Sequence, residues 1–191
     1  MATFIPRECL RAAPWKNGGG STMEIAISPA GAGLREFDWR ISLATITASG
    51  PFSSFPGIDR SLMLVDGDSV QLTLDGTRKV TLSAAQPMLW FPGEAVVSAQ
   101  VKGTTTDFNV MTRRGEWTAT VQVIHAEQVS PDSPAGLYMV LDDSWKIADD
   151  PLLAPGQGLW WSPSQPLPEM LTLTPQEKSA HLVWVSLTPS L

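Results

Sequence analysis

Residues 37–60 read FDWRISLATITASGPFSSFPGIDR. Trp39, Ile41 and Leu43 alternate with Arg40 and Ser42, the two-residue period of a strand with one apolar face. Arg40 is therefore planted on the second face of a strand-forming run. The run ends at Gly50-Pro51, and a rigid turn rich in Phe and Pro leads to Arg60, at the entry to the next apolar segment. Burying a guanidinium is costly unless an anion or a full set of acceptors meets it. Each arginine is thus either paired with a carboxylate of the chain or placed to meet one on a ligand.

The pattern continues outward in both directions. Met23, Ile25 and Ile27 alternate with small or polar neighbours, and Ser61–Asp66 and Ser69–Leu74 follow, with Asp75-Gly76 as a hairpin turn into Arg78–Leu82. Met88–Phe91, Ala95–Val101 and Thr104–Thr112 extend the series. The 16 prolines and 15 glycines are spread so evenly that few windows sustain three helical turns. Short strands punctuated by turns at this spacing predict an all-β sandwich or barrel.

The second part of the chain echoes the first. LMLVDGDSV from Leu62 matches YMVLDDSWK from Tyr138, and LSAAQPMLWFP from Leu82 matches LLAPGQGLWWSP from Leu152. Both copies run strand, acidic turn, strand, Pro/Gly turn, then a strand ending in two aromatics. The echo predicts two packed barrels from a duplication, residues 1–114 and 115–191, with Ser130–Ala135 as a loop inside the second. Neither half is long enough to be comfortable alone.

Composition narrows the function classes. A net charge of −6 over 191 residues, with no basic cluster, argues against nucleic acid or an anionic membrane as partner. The single Cys9 excludes an internal disulfide and a cysteine-based zinc site. No secretory leader and no membrane-length apolar run is visible, so a cytoplasmic protein is expected.

The repeated unit resembles the cupin barrel, and the chain as a whole resembles the HutD/Ves family of small bicupin proteins associated with bacterial histidine utilisation. The residues that carry the likeness are Pro14–Gly20 (PWKNGGG), Thr22 with Glu24-Ile25, Phe37–Ser42 (FDWRIS), Gly50–Gly57 (GPFSSFPG), Arg60 and Asp107–Arg113 (DFNVMTR). What the resemblance implies is an all-β bicupin fold and the binding of a small carboxylate of histidine degradation, of the urocanate or formylglutamate type. It also implies modulation of that pathway's expression, with no established catalysis.

The candidate ligand-binding residues are Asn17, Thr22, Arg40, Ser42, Phe55, Arg60, Asp107 and Asn109. A guanidinium offers a planar fork of donors that fits a carboxylate; its structural alternative here is a pair with Asp59, Glu24 or Asp107. Asp107 and Asn109 share one strand face, where Asn109 can donate and accept, and the alternative is a polar network bracing two strands. Lys16–Gly20 lacks phosphate-loop spacing and precedes a strand, so it is read as a flap closing Asn17 over the barrel mouth, or as a simple loop. Trp90 and Trp160-Trp161 are expected in the core or in packing between the barrels.

Metal cupins carry clustered histidines, and this chain has only His125 and His181, both in its second half. No cofactor is expected, since a first-row metal needs at least three converging ligands. The expected protein is a metal-independent binder of a small anionic metabolite, monomeric or homodimeric. The alternative is a metal-free isomerase or hydrolase using Asp107 or Glu24 as general base. Elemental analysis of purified protein should find no stoichiometric metal; one equivalent of iron or nickel would overturn this reading.

Overall fold

The computed structural model describes residues 3–5, 10–83, 88–130, 132–148, 152–167 and 170–190, which form strands, turns and bends without a helix. Thr3–Ile5 is β1, and its partner lies far along the chain, in β16 (Gly158–Trp161). The chain divides into two compact units, Leu10–Trp117 and the remainder. A cut at residue 114 is therefore displaced by a few residues, and it misassigns Thr3–Ile5. The cause is physical: Ile5 is buried and paired with Gly158, and a three-residue apolar segment carries no signature of its distant partner.

In the first unit one sheet has the order β2 (Ala12–Pro14), β3 (Gly20–Ser28), β4 (Trp39–Ile46), β11 (Thr105–Arg113), β6 (Ile58–Asp66), β9 (Leu89–Pro92). A second sheet has the order β5 (Gly50–Pro51), β10 (Val97–Val101), β7 (Val70–Leu74), β8 (Arg78–Leu82). Ile46, Leu62, Leu64 and Phe91 of the first sheet pack against Val70, Leu72, Leu82 and Val97 of the second, giving a shared apolar core. The sheets face one another as a cupin-like sandwich and do not close into a barrel. Asp75 and Gly76 both take positive φ, as the tight hairpin between β7 and β8 requires.

The second unit pairs a sheet ordered β1, β16, β14 (Ala135–Asp142), β18 (His181–Pro189), β12 (Trp117–Ile124) with a smaller one ordered β13 (Gln128–Val129), β17 (Thr172–Pro175), β15 (Trp145–Ile147). Tyr138, Val140, Trp161 and Leu182 pack against Trp145, Ile147 and Leu173 between them.

The two units share a frame. The order β4-β11-β6-β9 corresponds to β12-β18-β14-β16: in both, the last strand in sequence inserts between the first and second. The register confirms the alignment. Where β6 meets β11, Val65 is skipped between the pairs Leu64–Asp107 and Asp66–Thr106. Where β14 meets β18, Leu141 is skipped between the pairs Val140–Leu182 and Asp142–His181. Gly67 and Asp143, aligned in the turn that follows, both have positive φ. A bulge and a left-handed turn at aligned positions are specific enough to establish the duplication.

Trp90 departs from the sequence expectation. On β9, Leu89 and Phe91 point into the core, so the two-residue period turns Trp90 outward, 57% exposed on an edge strand. Trp161 is buried, and its indole N–H donates to the Ser133 carbonyl at 2.9 Å.

The Lys16–Gly19 segment is the connection of the β2–β3 hairpin, and Gly20 enters β3 where the Thr45 carbonyl and the Trp15 ring leave no room for a side chain. Gly20→Ala should destabilise the protein by about 1–3 kcal/mol through overpacking, whereas Gly103→Ala, with nothing within 4 Å, should be near neutral in urea denaturation.

Candidate functional site

Every polar candidate on β4, β6 and β11 faces the inside of the first sandwich. Asn109 lies opposite Ser42 on β4 and Leu62 on β6, and Met111 lies opposite Arg40 and Arg60. Opposed residues in antiparallel strands point the same way. Arg40, Ser42, Arg60, Asp107 and Asn109 therefore share the face that carries the core residues Leu62 and Leu64, and all five are buried. The opposite face carries Trp39, Ile41, Phe108 and Val110.

The two arginines are held differently. Arg40 donates from Nε to Glu24 Oε2 at 2.8 Å, the structural pairing that the sequence left open. Arg60 is 7% exposed and has no ion pair within 4 Å among the described residues. Its Nε and Nη2 reach only Asn109 Oδ1, both at 3.5 Å. Three rings surround the guanidinium, with Phe91, Phe52 and Phe55 centroids 5.0, 5.4 and 5.6 Å from Cζ. Phe91 arrives through the register, opposite Arg60 across β6 and β9. Aromatic faces attract a cation but accept no hydrogen bond of carboxylate strength. Burial lowers the Arg60 pKa to about 10, helped by the like charge of Arg40 and opposed by Asp107.

Asp107 is 1% exposed, and neither carboxyl oxygen finds a hydrogen-bond partner within the chain. The Ser42 and Thr105 hydroxyls are buried without partners as well. Burial pushes the Asp107 carboxyl up to about 7, and Arg60 pulls it back only in part.

The other candidates have structural employment. Asn17 Oδ1 accepts the Gly19 N–H at 3.0 Å. The same loop is braced by Gly18 N–H to the Trp15 carbonyl and by Thr47 N–H to the Gly19 carbonyl, at 3.0 and 2.9 Å. The expected flap is a tied hairpin turn. Thr22 Oγ1 accepts the Trp15 indole N–H at 2.8 Å. A cavity of about 240 Å³ opens beside this turn, lined by Trp15, Asn17, Ile46, Pro51, Phe52 and Ala99 among others. Neither arginine lines it; Phe52 is common to the cavity and the Arg60 cage.

Carboxylates that might have met Arg60 are committed elsewhere. Arg114 clamps Glu94 through two bonds of 2.7 and 2.9 Å and Asp59 through one of 2.7 Å. Those bonds hold Glu94 down at about 2 and raise Arg114. Arg113 donates to the Phe37 carbonyl at 2.7 Å. Among the described residues no group of three or more His, Cys, Asp or Glu is placed to hold a metal. His181 pairs with Asp142 in the second unit at 2.9 Å.

The second unit carries no polar side chain at three of these positions. Arg60 aligns with Gly136, where a side chain would strike the Trp161 ring, and Asp107 and Asn109 align with Leu182 and Trp184. The polar interior belongs to the first copy.

A profile of the HutD family matches residues 7–183. The chain belongs to the HutD family. Protein Ves of Cronobacter sakazakii (strain ATCC BAA-894) is 38% identical over 149 residues, 77% of this chain and 80% of that protein. HutD from Pseudomonas fluorescens SBW25 superposes with a TM-score of 0.86 at 28% identity over the whole of both chains. A cupin 2 conserved barrel domain protein from Leptotrichia buccalis shares the fold at 10% identity, with a TM-score of 0.65 over 97% and 96% of the two chains. This HutD-family chain is thus a cupin-like protein of a family linked to histidine utilisation. Among its described residues no helix is long and apolar enough to cross a membrane.

A carboxyl that binds its proton more tightly folded than unfolded adds stability below its unfolded value, about 3.9 for Asp, and loses it as pH rises toward 7. Asp107→Asn should therefore leave stability nearly unchanged at pH 4 and raise it by about 4 kcal/mol at pH 8 in denaturant titrations, as expected when a buried charge is removed. A variant destabilised equally at both values would contradict the assignment.

Proposed function

We propose that the first unit binds a small carboxylate of histidine degradation, of the urocanate or formylglutamate type, without a metal, and that occupancy modulates expression of the pathway. The supporting observation is Arg60: a buried guanidinium that feels the like charge of Arg40 and, among the described residues, has no ion pair within 4 Å. A ligand carboxylate supplies the missing acceptor pair for its planar fork. Asn109 and Ser42 offer donors on the same face, and Phe55 and Phe52 form apolar walls. A cavity of about 240 Å³ that shares Phe52 with the Arg60 cage is lined largely by apolar side chains. Family membership supports the choice of pathway.

The second reading, a metal-independent isomerase or hydrolase on a similar acid, draws on Asp107. A carboxyl titrating near 7 is suited to general acid–base chemistry. Turnover of a pathway intermediate by metal-stripped protein, abolished in Asp107→Asn, separates it from simple binding.

A thermal-shift and calorimetric screen of urocanate, formylglutamate, formiminoglutamate and glutamate tests the binding reading. Ligand at 100 times its Kd should stabilise the protein by about 2.7 kcal/mol. Arg40→Ala and Arg60→Ala should abolish the shift; binding that survives both substitutions, or no response to any of the four acids, defeats it.

A further inference from the structure

The carboxyl group of Asp107 is left over by the binding reading. Among the described residues its carboxyl oxygens are buried with no hydrogen-bond partner, and it shares its strand face with both arginines. A ligand carboxylate arriving there meets a second carboxylate that is itself buried. Two like charges in such a site cannot both persist, and the cheaper solution is for one to hold a proton. The ligand, facing two guanidiniums, is the better-stabilised anion.

We infer that the site takes up its anion together with one proton, carried by Asp107, whose protonated carboxyl then donates a hydrogen bond to the ligand. This rests on the carboxylate reading above. The proton comes from solvent and returns to it on release, so no other reactant is involved.

The groups surrounding Asp107 support the assignment. Its direct neighbours are Ala44 on β4 and Leu64 on β6; further along the same face stand Ser42 and Arg40 on β4 and Arg60 on β6, whose charge reaches it, while Glu24 on β3 is exposed and engaged by Arg40. The second sheet contributes apolar residues to this core, Val70, Leu72, Leu74, Leu82, Val97 and Ala99, with Val80 and Val101 packed against them. No histidine or lysine among the described residues stands on these inward faces, so no competing group titrates near neutral pH. With Asp107 protonated, Arg40, Arg60 and Glu24 leave one net positive charge for a monoanionic head. With Asp107 ionised, the interior is neutral and the attraction for that head is lost. A raised proton affinity in the unliganded protein agrees with this order of events. Leu182, at the aligned position of the second unit, accompanies the loss of the arginine.

The experiment is an NMR titration of the full chain with sodium formate at pH 5.5, 7.0 and 8.5, on the wild type and Asp107→Asn. Wild-type Kd should be flat at the acid end and weaken by about tenfold per pH unit at the alkaline end, as linkage to one proton requires. Asp107→Asn, which cannot ionise, should bind with a Kd that does not change with pH. A wild-type Kd independent of pH, or a pH dependence retained in the variant, overturns the proposal while leaving carboxylate binding intact. Failure of formate to bind the wild type even at pH 5.5 removes both readings. Direct observation of the Asp107 carboxyl carbon in wild type with formate tests the same point without a variant: it should stay protonated through pH 7, and an ionised signal contradicts the inference.

Discussion

The buried guanidinium of Arg60 is the constraint around which the first unit is arranged. Removing a charge from water is unfavourable by several kcal/mol even after relaxation, and a complete ion pair is the usual compensation. Here the compensation is partial: one amide oxygen at 3.5 Å and three phenylalanine faces. The neighbouring acids are withheld from it. Glu24 is taken by Arg40, Asp59 and Glu94 by Arg114, and Asp107 approaches without bonding. A guanidinium kept short of anions in this way is the feature on which the proposed carboxylate binding rests.

Duplication explains how such a site is tolerated. Both units repeat the same strand order, the same skipped residue and the same left-handed turn. The second fills its interior with Tyr138, Trp161, Leu182 and Trp184, the packing that stabilises an ordinary sandwich. The first carries Arg60, Asp107 and Asn109 where the second carries Gly136, Leu182 and Trp184. Strained or poorly compensated groups of this kind are characteristic of binding sites, and the stability they forgo has to come from the surrounding fold.

Much of this was legible in the sequence because the two-residue period of a strand is a direct readout of direction. The alternation in WRISLATIT already put Arg40 and Ser42 on one face, and the spacing of Asp107 and Asn109 did the same for theirs. The echo between Leu62 and Tyr138 marked the bulge position to the residue. What remained hidden depends on partners distant in sequence. Nothing in TFI names a strand more than 150 residues away as its neighbour. The Lys16–Gly20 run looks mobile because it is rich in glycine, yet backbone bonds to Trp15 and Thr47 tie it down. Phe91 reaches Arg60 only through the β6–β9 register, and Trp90 faces outward for the same reason. Whether Arg60 or Arg40 had the carboxylate partner was not decidable without that geometry.

Everything proposed for the first unit requires that Arg60 be held for a ligand and not for the fold. The most direct measurement is the urea-unfolding stability of Arg60→Met at pH 6 in buffer free of small carboxylates. Methionine fills the aromatic cage without the charge, so the unliganded variant should match or exceed the wild type in midpoint, with the slope unchanged. A midpoint well below the wild type, equivalent to a loss of about 3 kcal/mol or more, would mean that the guanidinium is a structural member of the core, and would contradict a site held open for an anion.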